Sequence, residues 1–135
     1  MQITKEMHDK ELQSRYRLGR FVARLVNYNM GIRFMQNMGF NPMQGNEIEG
    51  VHNDERYIES RSTPGHQIRV RVFRPFGYDD DKLPAMLYTH GGGYAVGSPE
   101  QPLAFYNDLM KTRKLVIVAP AYRLSIDHPF PAGFN

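Results

Sequence analysis

Two short apolar runs, PAMLYTH at 84–90 and LVIVAPAY at 115–122, flank the segment QPLAFYNDLMKTRK at 101–114. Each run has the length of a buried strand, and the second is rich in β-branched residues, while the segment between them reads as a helix. Strand, helix, strand is a βαβ unit. A helical crossover returns the chain to the same end of the sheet, so the two strands are expected to lie parallel. The fold class is therefore α/β.

Upstream the period changes to two. ERYIES and QIRVRVFRP flank the turn RSTPGH at 61–66, which predicts an antiparallel hairpin. In its second strand Ile68, Val70 and Val72 face one way, and Arg69 and Arg71 the other. Such alternation fits a sheet with one wet face, as at the edge of a larger sheet. YDDDK at 78–82 is expected to be a solvated loop. Its aspartates lack the further ligands a metal site needs, so no metal is expected.

Residues 5–38 read as helical. Leu18, Phe21, Val22, Leu25 and Val26 recur at the spacing of one buried stripe, with Arg15, Arg17, Arg20 and Arg24 largely off it. That stripe is expected to pack on its own domain. The same basic amphipathic pattern also suits a membrane surface or a partner. Gly31 is expected to break the element, and GFNP at 39–42 to end its second piece. Met30, Met35, Met38 and Met43 cluster here as core fillers or as a pliable pocket wall.

At 135 residues the chain has the length of about one domain. Its net charge of +3 is too small to argue for nucleic acid. It has no cysteine, which excludes disulfides and thiolate chemistry and fits a reducing compartment. No apolar run approaches the ~20 residues of a membrane-spanning helix. The opening MQITKEMHDKELQSRYR carries both signs of charge and no apolar core, so it does not read as a leader, and the expected location is the cytoplasm.

The first parallel strand runs into YTHGGGYAVGS at 88–98. Three successive glycines cost much chain entropy on folding. Without side chains, however, backbone N–H groups can converge on one point at the carboxyl end of a strand, where open α/β sheets bind ligands. Two such donors aimed at a developing oxyanion serve acyl transfer, each contributing roughly 2.7–4 kcal/mol of transition-state stabilisation. A competing reading takes Gly91, Gly93 and Gly97 as a loose dinucleotide fingerprint. Pro99 and Pro102 separate those glycines from the helix, and no acid ends the next strand, which weighs against it.

HGGGY (His90–Tyr94) after an apolar strand resembles the oxyanion-hole motif of the hormone-sensitive lipase family of α/β-hydrolase esterases. YRLSIDHPFPA (Tyr122–Ala132) resembles that family's YRLAPEHPFPA block. The resemblance implies an incomplete α/β-hydrolase fold: a helical cap region over 1–45, then a hairpin and a parallel βαβ unit forming part of the core over 46–135. By position, the N–H groups of Gly92 and Gly93 would be the oxyanion donors. Gly91 would allow the turn, His90 would hold the loop by side-chain hydrogen bonds, and Tyr94 would line the pocket mouth. His128 is structural by the same resemblance, and His8, His52 and His66 read as surface residues. Ser125, Ile126 and Asp127 replace the family's Ala-Pro-Glu, and Ala121 stands where an aspartate is usual. These changes are expected to loosen support of the loop.

The family's nucleophile is the serine of a G-x-S-x-G elbow, followed by an acid and a histidine. None of Ser14, Ser60, Ser62, Ser98 and Ser125 has that setting, so no catalytic residue is expected within these residues and the triad is expected beyond Asn135. In the family's strand order the nucleophile strand would lie beside the strand at 84–89. Without it that edge is open, and residues 1–135 alone are expected to be poorly soluble or partly folded. The implied activity is carboxylic ester hydrolysis on short- to medium-chain acyl esters, with a small-molecule partner and no cofactor. The alternative is a non-catalytic small-ligand-binding protein on the same scaffold.

Overall fold

In the computed structural model, which describes residues 4–7, 9–13, 15–26, 29–78 and 82–134, four strands form one mixed sheet. They are β1 (Val51–Glu59), β2 (Gln67–Pro75), β3 (Ala85–Leu87) and β4 (Val116–Pro120), in the order β1-β2-β4-β3. β1 and β2 form the expected antiparallel hairpin, from Val51 opposite Pro75 to Glu59 opposite Gln67. β3 lies parallel to β4, with Met86 opposite Ile117, as the βαβ rhythm requires. β4 is inserted between β3 and the hairpin and runs antiparallel to β2.

The hairpin begins earlier than its alternation suggests. Val51 is buried, and the Asn53 side chain accepts the Ile48 N–H at 2.8 Å and donates to the carbonyls of Ile48 and Val51. These bonds draw the approach to β1 into the structure before the period-two pattern becomes visible.

Helix α4 (Leu103–Arg113) covers one face of the sheet. Its Tyr106 and Met110 join Ile48, Val51, Phe73, Ile117 and Ala119 in a single core. Each of the larger apolar side chains among them contributes about 1.5–3 kcal/mol through burial. The helix stops where Lys114 turns left-handed, its N–H donating to the Met110 carbonyl.

The expected wet face of β2 is corrected by the structure. Phe73 shares the face of Arg69 and Arg71 and is fully buried, so the arginines lie at the margin of the core. Arg71 is only 4% exposed. Its guanidinium lies over the Phe73 ring at 5.4 Å, while Arg69 and Arg71 both meet Glu100, which is 2% exposed. A buried carboxylate from the next segment makes arginine tolerable there. β3 is short and lies at the open edge, as expected, but it is less buried than its apolar run predicts, with Leu87 70% exposed.

At the N-terminal end, α1 (Lys10–Gln13), α2 (Tyr16–Val26) and α3 (Asn29–Met35) follow one another. Gly31 does not break the helix: α3 passes through it into a wide π turn, Gln36–Phe40, and a 3-10 turn, Asn41–Met43. One face of α3 is held. Arg33 pairs with Asp127 at 2.7 Å and donates to the Ile126 carbonyl at 3.1 Å, and Gln36 is buried. Met30, Phe34 and Met38 face outward. The stripe on α2 is a second correction. Leu18 is 63% and Phe21 60% exposed, and Val22 is exposed as well, because α2 packs chiefly on α3 among the described residues. The side chains of Leu25 and Val26, and the aspartates at 79–81, lie outside the described residues.

Candidate functional site

The last ladder bond of β3 is the Tyr88 N–H to the Val118 carbonyl, at 2.9 Å. Beyond it the chain leaves the sheet as the glycine loop. Gly92, Gly93, Tyr94 and Gly97 all take positive φ, at 130°, 60°, 60° and 121°. At Gly92 the need for glycine is steric as well: a Cβ would stand 1.8 Å from the Val96 carbonyl oxygen. The Gly92 carbonyl accepts the N–H groups of Ala95 and Val96, both at 3.1 Å, and closes the loop on itself. Among the described residues, the amides of Gly92 and Gly93 donate to no acceptor. Two adjacent donors at the carboxyl end of a parallel strand are thus without a protein acceptor among the described residues.

His90 lies beneath the loop and is buried. Its Nδ1 donates to the Gly91 carbonyl at 2.9 Å, with the proton assigned to that nitrogen from this contact. The imidazole stacks on the Tyr122 ring at 4.2 Å, and the Tyr122 hydroxyl donates to the His90 carbonyl at 2.7 Å. Burial lowers the His90 pKa, outweighing the opposing effects of the Gly91 carbonyl and Glu100. A neutral ring committed to a backbone carbonyl is suited to positioning rather than to proton transfer.

Two other segments fix the loop. Gln36 accepts the Gly97 N–H at 2.8 Å and donates to the Gly97 carbonyl at 3.2 Å, inside the protein. The Ser125 N–H donates to the Tyr94 carbonyl at 2.8 Å. The replaced block therefore still reaches the loop, through a backbone contact that does not depend on which side chain occupies 125. Asp127 in turn is the partner of Arg33.

An open cavity of about 490 Å³ lies against this loop. Ile68, Pro120, Tyr122 and Phe134 form its apolar wall, and Gly92, Gly93 and Tyr94 its polar rim. The Tyr94 and Phe134 rings, both in its lining, are 5.3 Å apart. His66, expected at the surface, is half-buried in the lining, and His52 is half-buried edge-on to Phe76 at 4.5 Å. His128 is exposed, and His8 lies outside the described residues.

Glu100 is the buried acid following the loop that motif reading missed. It accepts from Arg69 and from the Gly45 N–H at 3.1 Å, and Arg71 Nε stands 3.9 Å away. Burial would raise its pKa, but the hydrogen bonds from Arg69 and the Gly45 amide, with the charge of Arg69, bring it below the ordinary value. The one signal for it was an acid just before a helix, opposite two odd-numbered arginines. Among the described residues no group of His, Asp and Glu side chains is placed to hold a metal, and no helix is long and apolar enough to cross a membrane.

A family model described as the alpha/beta hydrolase fold matches residues 86–135, the stretch from β3 through the glycine loop to the Tyr122–Ala132 block. Probable carboxylesterase 3 of Arabidopsis thaliana is 28% identical over 77% of this chain and 36% of its own length. An esterase from the hyperthermophilic archaeon Pyrobaculum calidifontis superposes with a TM-score of 0.58 at 29% identity, over 84% of this chain and 37% of that one. Brefeldin A esterase, a bacterial homologue of human hormone-sensitive lipase, shares the fold with a TM-score of 0.57 at 21% identity, over 81% of this chain and 32% of its own. The chain spans about a third of the length of the curated relatives it matches.

Proposed function

We propose that this chain, which has the α/β-hydrolase fold and is similar to carboxylesterases, supplies the oxyanion hole of a serine carboxylesterase acting on short- to medium-chain acyl esters. The observation that carries this reading is the pair of unspent amides at Gly92 and Gly93, in a loop held from below by His90 and from the side by Gln36. An ester carbonyl seated there accepts both N–H groups. When a serine oxygen adds to its carbon, the negative charge gathers on the carbonyl oxygen between them, and each donor contributes roughly 2.7–4 kcal/mol. Tyr94, Tyr122 and Phe134 would shelter the apolar part of the substrate. Serine, acid and histidine would come from residues beyond Asn135, and the 135 residues alone are expected to be inactive. The cysteine-free composition favours the cytoplasm, which fractionation of the native protein tests.

The first experiment is to read the transcript beyond the codon for Asn135 and assay the encoded chain on an ester panel. An open frame with G-x-S-x-G and ester turnover supports the reading. A stop codon in the mature message would sink it in favour of small-ligand binding. For the 135 residues alone, p-nitrophenyl butyrate should show neither burst nor turnover above buffer.

A further inference from the structure

A peptide unit is flat, so a carbonyl that is fixed also fixes the N–H on the other side of the same bond. In the glycine loop the Gly92 carbonyl shares a plane with the Gly93 N–H, and the loop holds it by the N–H groups of Ala95 and Val96. The Gly91 carbonyl shares a plane with the Gly92 N–H and has a different support. His90 Nδ1 donates to it, and the Gly97 backbone stands so close that a Cβ there would be 2.5 Å from it. Gly97 is in turn held from outside the loop. Gln36 Oε1 accepts its N–H at 2.8 Å, while Gln36 Nε2 donates to its carbonyl at 3.2 Å and to Asn41 Oδ1 at 2.8 Å. A backbone N–H can only donate, which fixes the end of the side-chain amide that faces it. This is the two-point contact of a hydrogen-bonded strand pair, supplied by one side chain. A glutamate of the same length would offer the acceptor without the donors. Gln36 is also the first residue of the π turn, a form frequent at functional sites. Both partners are buried and their bonds are made, so the contact does not wait on residues elsewhere.

We propose that Gln36 is a positioning residue: through Gly97 and the Gly91 carbonyl it sets the direction in which the Gly92 N–H points. The Gly93 donor, held by the loop's own turn, depends on it less. For catalysis the inference rests on the ester reading, because the direction of a donor matters where an oxyanion forms in front of it. Gln36 touches neither substrate nor reacting atoms. Its effect falls on the transition state, where the donor must meet the developing charge at hydrogen-bond distance.

The test compares the wild type with Gln36→Met, which fills similar space without the polar groups, and with Gln36→Glu, each in the full chain that the transcript encodes. Rates are expressed per active site, titrated with a fluorophosphonate. Each variant should lose roughly ten- to hundredfold in kcat on p-nitrophenyl butyrate, with KM within about twofold of the wild type. In amide spectra of glycine-labelled protein, the Gly92 cross-peak should move more than that of Gly93. A purely structural role would lower the melting temperature and the number of titratable sites but leave the rate per site unchanged, and that result overturns the proposal. So does a Gly92 cross-peak that stays in place, whatever the activity. A wild type without turnover overturns the ester reading instead, and the spectra still decide what Gln36 does.

Discussion

At Gly97 one hydrogen atom in place of a methyl group decides whether the loop can close. A Cβ there would stand 2.5 Å from both the Gly91 carbonyl oxygen and His90 Nδ1, at a φ of 121° that L side chains rarely adopt. Gly97→Ala should therefore cost roughly 3 kcal/mol and pull His90 from its stack on Tyr122. Gly91, with ordinary φ and open space around it, should accept alanine with roughly 1 kcal/mol or less. The chain has no tryptophan, so urea midpoints followed by far-ultraviolet circular dichroism are the measurement. Equal midpoints for the two variants would refute this account. HGGG is legible because its glycines are adjacent. Gly97 and its partner Gln36 are not, because 61 residues separate them and a lone glutamine in a helix carries no signal.

At the scale of the element, β3 and β2 mark where periodicity stops being informative. Apolar runs announced a parallel pair, and the structure has it. The open edge of β3 followed from the resembled strand order and not from those runs, because hydrophobicity does not say which side of a strand has a neighbour. Nor could alternation in β2 reveal Glu100, whose placement depends on the loop between β3 and α4. With Leu87 outward and backbone groups unpaired on one side, β3 is a template for association. Leu87→Lys should raise the soluble yield of the 135 residues severalfold and lower light scattering at equal concentration. Scattering unchanged by the lysine would locate the association elsewhere. The exposed stripe of α2 belongs to the same lesson, since spacing identifies an apolar face but not what meets it.

For the whole molecule, two buried titratable groups, His90 and Glu100, act in the same direction. His90 is held below its ordinary value of 6.5 and Glu100 below 4.5. Each therefore contributes stability that is complete above the unfolded value and is lost as pH falls through the folded one. Stability should decline first below pH 6.5, as the unfolded chain gains a proton that buried His90 resists, and again below 4.5, as the Glu100 contacts with Arg69 are lost. Urea titrations across this range, in the Leu87→Lys background, check it. His90→Asn should remove the upper decline while leaving the lower one, and an upper decline that persists in it would exclude His90 as the source. The link between Gln36 and Gly97 bears on how such a protein can be recombined. A chimera joined near residue 45 would exchange more than a cover. The incoming helical region must bring a glutamine to the position of Gln36 and an arginine to meet Asp127, or the recipient's glycine loop loses one anchor and the 122–132 block another. Residues 1–45 and the loop are thus coupled, and shuffling between relatives should succeed only where the incoming half carries both side chains.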